Sequence, residues 1–99
     1  MTNLPPSAVA ARQFSGNPEL VESVLNTIAE VTTSYDADQI KPSMTLVGYM
    51  QLDPESDIPM LVKKLNKQFG IELYAEDIAD QDPTVEDLID LVESEIDLG

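Results

Sequence analysis

Apolar residues recur at helical spacing in three stretches of this chain, and the residues at their edges mark where each stretch starts and stops. After Asn17-Pro18-Glu19, the positions Leu20, Val21, Val24, Leu25, Ile28 and Val31 make one broad apolar face. Asn17 is a good cap, Pro18 is tolerated at the first helical position, and Glu19 suits the positive end of the helix dipole. This helix is expected to fade at Thr32-Thr33-Ser34. A second stripe joins Leu61, Val62, Leu65 and Phe69 and ends at Gly70, a residue that takes the left-handed conformation at little steric cost. Ile71 and Leu73 then alternate with Glu72, which predicts a half-buried extended exit. A third stripe runs through Val85, Leu88, Ile89, Val92 and Ile96, opened by Asp82-Pro83-Thr84 with Thr84 as cap and Asp87 three residues on, and fraying at Asp97-Leu98-Gly99.

The connections carry less pattern. Residues 35–51 read as a long loop folded back onto the core by Ile40, Met44 and Leu46, with Tyr49 as a further anchor and a turn at Lys41-Pro42-Ser43. Tyr74 to Ala79 reads as a single short helical turn with Ile78 inward. Residues 1–16 show no persistent period and are expected to form a flexible arm, with Phe14 touching the body, ahead of a helical domain at 17–99. No strand pattern of useful length and no internal repeat is present. The fold class is therefore all-α: three principal helices and one minor one, closing on each other because no single stripe can bury itself.

Composition narrows the chemistry. The chain of 99 residues has no Cys and no His, which removes disulfides, thiolate metal sites, imidazole bases and the commonest metal ligand. Nineteen acidic residues against five basic ones give a formal net charge of −14. That field opposes nucleic acid and anionic membrane surfaces and favours basic patches on proteins. No apolar run is long enough to span a bilayer, and the first residues lack the pattern of a secretion signal, so a cytoplasmic monomer is expected. The acids Glu76, Asp77, Asp80 and Asp82 lack the spacing and the central glycine of a helix-loop-helix calcium site. Met44, Met50 and Met60 would serve either an adaptable apolar pocket or, more simply, the core.

The segment Asp53-Pro54-Glu55-Ser56-Asp57-Ile58-Pro59, just ahead of the second stripe, is the candidate functional stretch. Asp53-Pro54-Glu55 is a good helix or turn opener, whereas Pro59 disfavours a helical Ile58. Two geometries fit: a short turn followed by a helix starting near Pro59, or a helix starting at Asp53 and kinking. Both leave Ser56 on an irregular, accessible stretch.

Leu61-Val62-x-x-Leu65-x-x-x-Phe69-Gly70-Ile71-Glu72-Leu73, followed by Thr84-Val85-x-Asp87-Leu88-Ile89-Asp90, resembles the acyl carrier protein family, and Asp38-Gln39-Ile40-Lys41-Pro42 with the helix before it fits as well. The likeness spans roughly Pro18 to Glu95. It implies a small acidic bundle of three to four helices with a long loop between the first two. It also implies a covalent phosphopantetheine arm on a serine at the entrance to the second helix, carrying acyl groups as thioesters for fatty-acid or polyketide-type biosynthesis. The reactive sulfur would belong to the prosthetic group, so no catalytic residue and no enzymatic activity is expected of the chain itself. The implied partners are a phosphopantetheinyl transferase and acyl-transferring or condensing enzymes.

On this resemblance Ser56 is the attachment residue; Ser43 and Ser34 are weaker rivals because neither precedes an apolar helix. Asp53, Glu55 and Asp57, together with Lys63, Lys64 and Lys67, are the implied partner contacts. The match departs from the family at the site. Ungapped alignment back from Phe69 puts Glu55 on the serine position and Ser56 one residue late, Asp57 replaces the leucine that follows the serine, and Val47-Gly48 stands too early for the family's Leu-Gly pair. The three lysines also lie on a helix that is acidic elsewhere in the family. They read either as a partner-selective stripe or as a solvated face paired with neighbouring acids. The same departures support a second reading, a carrier-like fold that is not modified and serves as a protein-interaction module.

Overall fold

The computed structural model describes residues 17–98. Among them are four α-helices and no strand: α1 (Pro18–Thr32), α2 (Asp57–Phe69), α3 (Ala75–Gln81) and α4 (Val85–Leu98), with a 3-10 turn at Ala37–Gln39. The arm expected at residues 1–16, and with it Phe14, lies outside the described residues. No helix among them is long and apolar enough to cross a membrane.

The periodic stripes are the faces that become buried. Val21, Val24, Leu25, Ile28 and Val31 of α1 meet Ile58, Leu61, Val62 and Leu65 of α2 and Val85, Leu88, Ile89 and Val92 of α4 in one core, with Leu20 packed at its edge. Burial of these side chains is the main stabilising term, at about 25 cal/mol per Å² of apolar surface removed from water. α1 packs most extensively on α2 and also on α4, while the short α3 lies against α2. The contact between α1 and α2 carries one buried polar group: the Thr27 hydroxyl donates to the Ser23 carbonyl at 2.9 Å and lies 2.9 Å from the side-chain oxygen of Gln68.

The ends follow from their residues. The Asn17 side chain accepts from the Glu19 N–H at 2.9 Å. Gly70, at φ 66°, closes α2, and its N–H and that of Ile71 both donate to the Asn66 carbonyl. Asn66 then turns its side chain onto the exit segment: its amide donates to the Leu73 carbonyl (3.0 Å) and its oxygen accepts from the Leu73 N–H (2.7 Å). That clamp holds Ile71 and Leu73 inward and leaves Glu72 exposed, as the alternation predicts. Thr84 caps α4, accepting at Oγ1 from the Asp87 N–H.

Several expectations are corrected. Phe69 is only half-buried, and Ile96 is 38% exposed. The helical period continues to Ile96 although the buried core ends at Val92; Ile96 lies in a shallow cleft with Asn17 and Leu20 at the start of α1. α4 also stays helical through Leu98 instead of fraying. Tyr74 stands just before α3, with no side-chain capping bond, and is exposed, and α3 runs to Gln81 rather than ending at Ala79.

The long connection is more structured than a plain loop. Its 3-10 turn is closed by the Gln39 N–H on the Asp36 carbonyl and by the Asp36 N–H on the Gln39 side chain, both 2.9 Å. Ile40, Met44, Leu46, Met50 and Leu52 are buried along it, but Tyr49, expected as an anchor, is 59% exposed. The connection is also pinned to the start of α4. The Val85 N–H donates to the Met44 carbonyl (2.8 Å), the Leu46 N–H to the Pro83 carbonyl (3.2 Å) and the Glu86 N–H to the Pro42 carbonyl (3.2 Å).

Candidate functional site

The entrance to α2 is built from a reciprocal pair of aspartates. The Asp53 carboxylate accepts from the Glu55 N–H (2.8 Å), and the Asp57 carboxylate reaches back to accept from the Asp53 N–H (2.9 Å). The Ile58 N–H donates to the Asp53 carbonyl at 3.0 Å. Buried Leu52 and Ile58 root the turn on both sides. Residues 54–56 form the turn and the helix begins at Asp57. This is the first of the two anticipated geometries, with the start two residues before Pro59. Pro59 falls in the first helical turn, where a backbone N–H would have no intrahelical acceptor, so the helix starts without a kink.

Ser56 sits at the cap position, at φ −122° and ψ −52°, and is exposed. Its carbonyl accepts from the Met60 N–H, but its side chain makes no capping hydrogen bond. Ser43 is exposed in its turn and Ser34 follows the end of α1; neither stands at a helix entrance.

The charges around Ser56 divide by task. Asp53 and Asp57 each commit a carboxylate oxygen to a backbone N–H, whereas Glu55 is exposed with its own N–H held by Asp53. All three acids lie at the positive end of α2, which stabilises them there. Lys63, Lys64 and Lys67 are exposed further along, towards the negative end, and no ion pair among the described residues holds any of them. The pairing with neighbouring acids that would have explained them away is not made. The polarity of α2, acidic first and basic later, matches its dipole.

A second device, which the sequence pattern does not announce, shapes the neighbouring loop. Asp82, read as part of a helix start, is instead the left-handed residue that ends α3, at φ 44°. Its carboxylate accepts from the Val47 N–H (2.7 Å) and the Gly48 N–H (3.1 Å), and the Thr45 hydroxyl oxygen accepts from the Tyr49 N–H (2.8 Å). A Cβ on Gly48 would lie 2.9 Å from Thr45 Oγ1 and 3.0 Å from an Asp82 carboxylate oxygen, so this turn needs glycine. The turn closes at Gln51, at φ 60°. Asp82 is thus occupied by backbone, and no group of three metal-ligating side chains comes together among the described residues. Met44 and Met50 fill the core while Met60 is exposed, so the three methionines do not line one pocket.

Between the end of α1, this turn and the start of α2 lies an open groove of about 530 Å³, lined by Thr32, Ser34, Tyr35, Tyr49, Met50, Gln51 and Asp57. Its walls are mainly neutral hydrogen-bonding side chains. The residues at the entrance fit a covalent group on Ser56 Oγ in two respects: the hydroxyl is exposed and has no competing capping bond. The adjacent carboxylates offer the phosphate of such a group no cation, so they contribute position rather than charge neutralisation. Comparison with protein-family models, with curated proteins and with solved structures finds no match for this chain.

Proposed function

We propose that the chain is an acyl carrier-like protein, modified with phosphopantetheine on Ser56, that passes acyl groups between enzymes of a fatty-acid or polyketide-type pathway. The observation that carries the reading is the exposed, uncapped Ser56 hydroxyl at the start of α2 in a small acidic helical bundle. The bound group would supply a thiol on which an acyl chain rides as a thioester. The chain's own part is presentation. Leu52 and Ile58 anchor the turn, and the Asp53 and Asp57 carboxylates hold its backbone, so Ser56 Oγ stays at the surface where a transferase can reach it. Asp53, Glu55 and Asp57 offer an acidic edge to a basic partner surface, and Lys63, Lys64 and Lys67 select partners that carry acids opposite the later turns of α2.

Intact-mass measurement after incubation with a phosphopantetheinyl transferase and coenzyme A tests this. One added phosphopantetheine is expected, and it should disappear in Ser56→Ala. No gain in the parent chain, or a gain that survives Ser56→Ala, defeats the assignment. The second reading, an unmodified interaction module, is favoured by Glu55 on the family's serine position and by the free lysines. It prevails if the parent chain takes no group while Glu55→Ser does.

A further inference from the structure

The groove beside Ser56 has features that the presentation of a hydroxyl does not require. Three residues among those described have a positive φ without being glycine, and two of them border this groove: Thr33 (φ 55°), between the lining residues Thr32 and Ser34, and Gln51 (φ 60°), itself in the lining. A β-branched residue in that conformation is strained. Asp82, the third, is repaid by the two backbone bonds its carboxylate accepts. The lining supplies hydroxyls from Thr32, Ser34, Tyr35 and Tyr49, the Gln51 amide and the Asp57 carboxylate, over buried Met50. Asp57 Oδ2 is taken by the Asp53 N–H, and Oδ1 remains to accept from a ligand.

Among the described residues no cationic side chain lines the groove, which disfavours phosphates and other anions. A neutral, elongated ligand rich in amides and hydroxyls fits: its N–H groups would donate to Asp57 and the Gln51 carbonyl oxygen, and its carbonyls would accept from the tyrosine and serine hydroxyls. Asp57, which follows Ser56 directly, joins the groove to the attachment residue. On the carrier reading above, we infer that this groove is a docking place for the polar, amide-bearing part of the arm on Ser56, held along Asp57, Gln51, Tyr49 and Ser34. The arm would then rest against the α1 end and the turn closed by Gln51 when no partner enzyme draws it out.

Backbone amide spectra of the isotope-labelled full chain, recorded before and after loading with transferase and coenzyme A, test this, with intact mass read on the same samples. The expected result is one added group together with shift changes at Ser34, Tyr35, Tyr49 and Gln51 as well as at the α2 entrance. In the loaded Tyr49→Ala, Gln51→Gly double variant the changes at Ser34 and Tyr35 should collapse. Both substitutions suit their sites, since Tyr49 is exposed and glycine accepts the Gln51 backbone. A mass gain with shifts confined to residues 53–59 overturns the groove while leaving the carrier reading intact, as do Ser34 and Tyr35 changes that persist in the double variant. No mass gain removes both.

Discussion

Gly48 and Thr33 show how single backbone positions set the surroundings of Ser56. Gly48 lies where any side chain would press on Thr45 Oγ1 and the Asp82 carboxylate, the two groups that hold the turn. Gly48→Ala should therefore destabilise the fold by about 1–3 kcal/mol, the usual range for overpacking, read as a lower urea midpoint. An unchanged midpoint would mean that the turn relaxes freely. Thr33 is the converse case. Its left-handed backbone ends α1 without the glycine that normally does so, and its N–H donates to the Ala29 carbonyl. Thr33→Gly should stabilise by about 1 kcal/mol in the same titration, because it relieves the β-branched side chain. Gly48 is visible in the sequence, but its reason is not, since the carboxylate that requires it lies 34 residues away. Asp82-Pro83-Thr84 carries the local signature of a helix start, and nothing in that signature reveals a carboxylate turned back to an earlier loop.

At the level of elements, the apolar stripes are reliable guides and the segments between them are not. α1, α2 and α4 bury the faces their spacing predicts, because a stripe has few places to go in a small bundle. The errors fall where periodicity continues past the buried core, as at Ile96, or where a side-chain bond decides the shape, as in the 3-10 turn closed by Gln39. The start of α2 lay between two geometries until the Asp53–Asp57 exchange chose one. Ser56 could be singled out from the chain by its place before an apolar helix; the polar groove beside it could not, because its lining comes from three separated segments. The exit from α2 rests on Asn66, whose side chain makes two bonds to Leu73. Asn66→Ala leaves a partly buried N–H and carbonyl unpaired and should cost about 1–3 kcal/mol. Hydrogen exchange should then accelerate at Leu73 before it does in α1; equal protection at Leu73 in both proteins would show that packing alone holds the segment.

For the molecule as a whole, the dominant electrostatic fact is a net charge of −14 on 99 residues. Repulsion among nineteen carboxylates opposes the compact state, and among the described residues the exposed lysines are not drawn into compensating pairs. Raising ionic strength from about 0.01 to about 0.15 M shortens the screening length from about 30 to about 8 Å. The melting temperature should rise, by roughly 4–8 °C for each kcal/mol of repulsion relieved. A fall with added salt would show that attractive pairs outweigh repulsive ones. The three bonds from the Pro42–Leu46 stretch to Pro83, Val85 and Glu86 also set an order of events in biosynthesis. Residues 42–46 emerge from the ribosome well before residues 83–86, so in a nascent protein the long connection lacks the bonds that pin it. The connection reaches its final shape only when α4 has formed, which ties two distant segments into one cooperative unit.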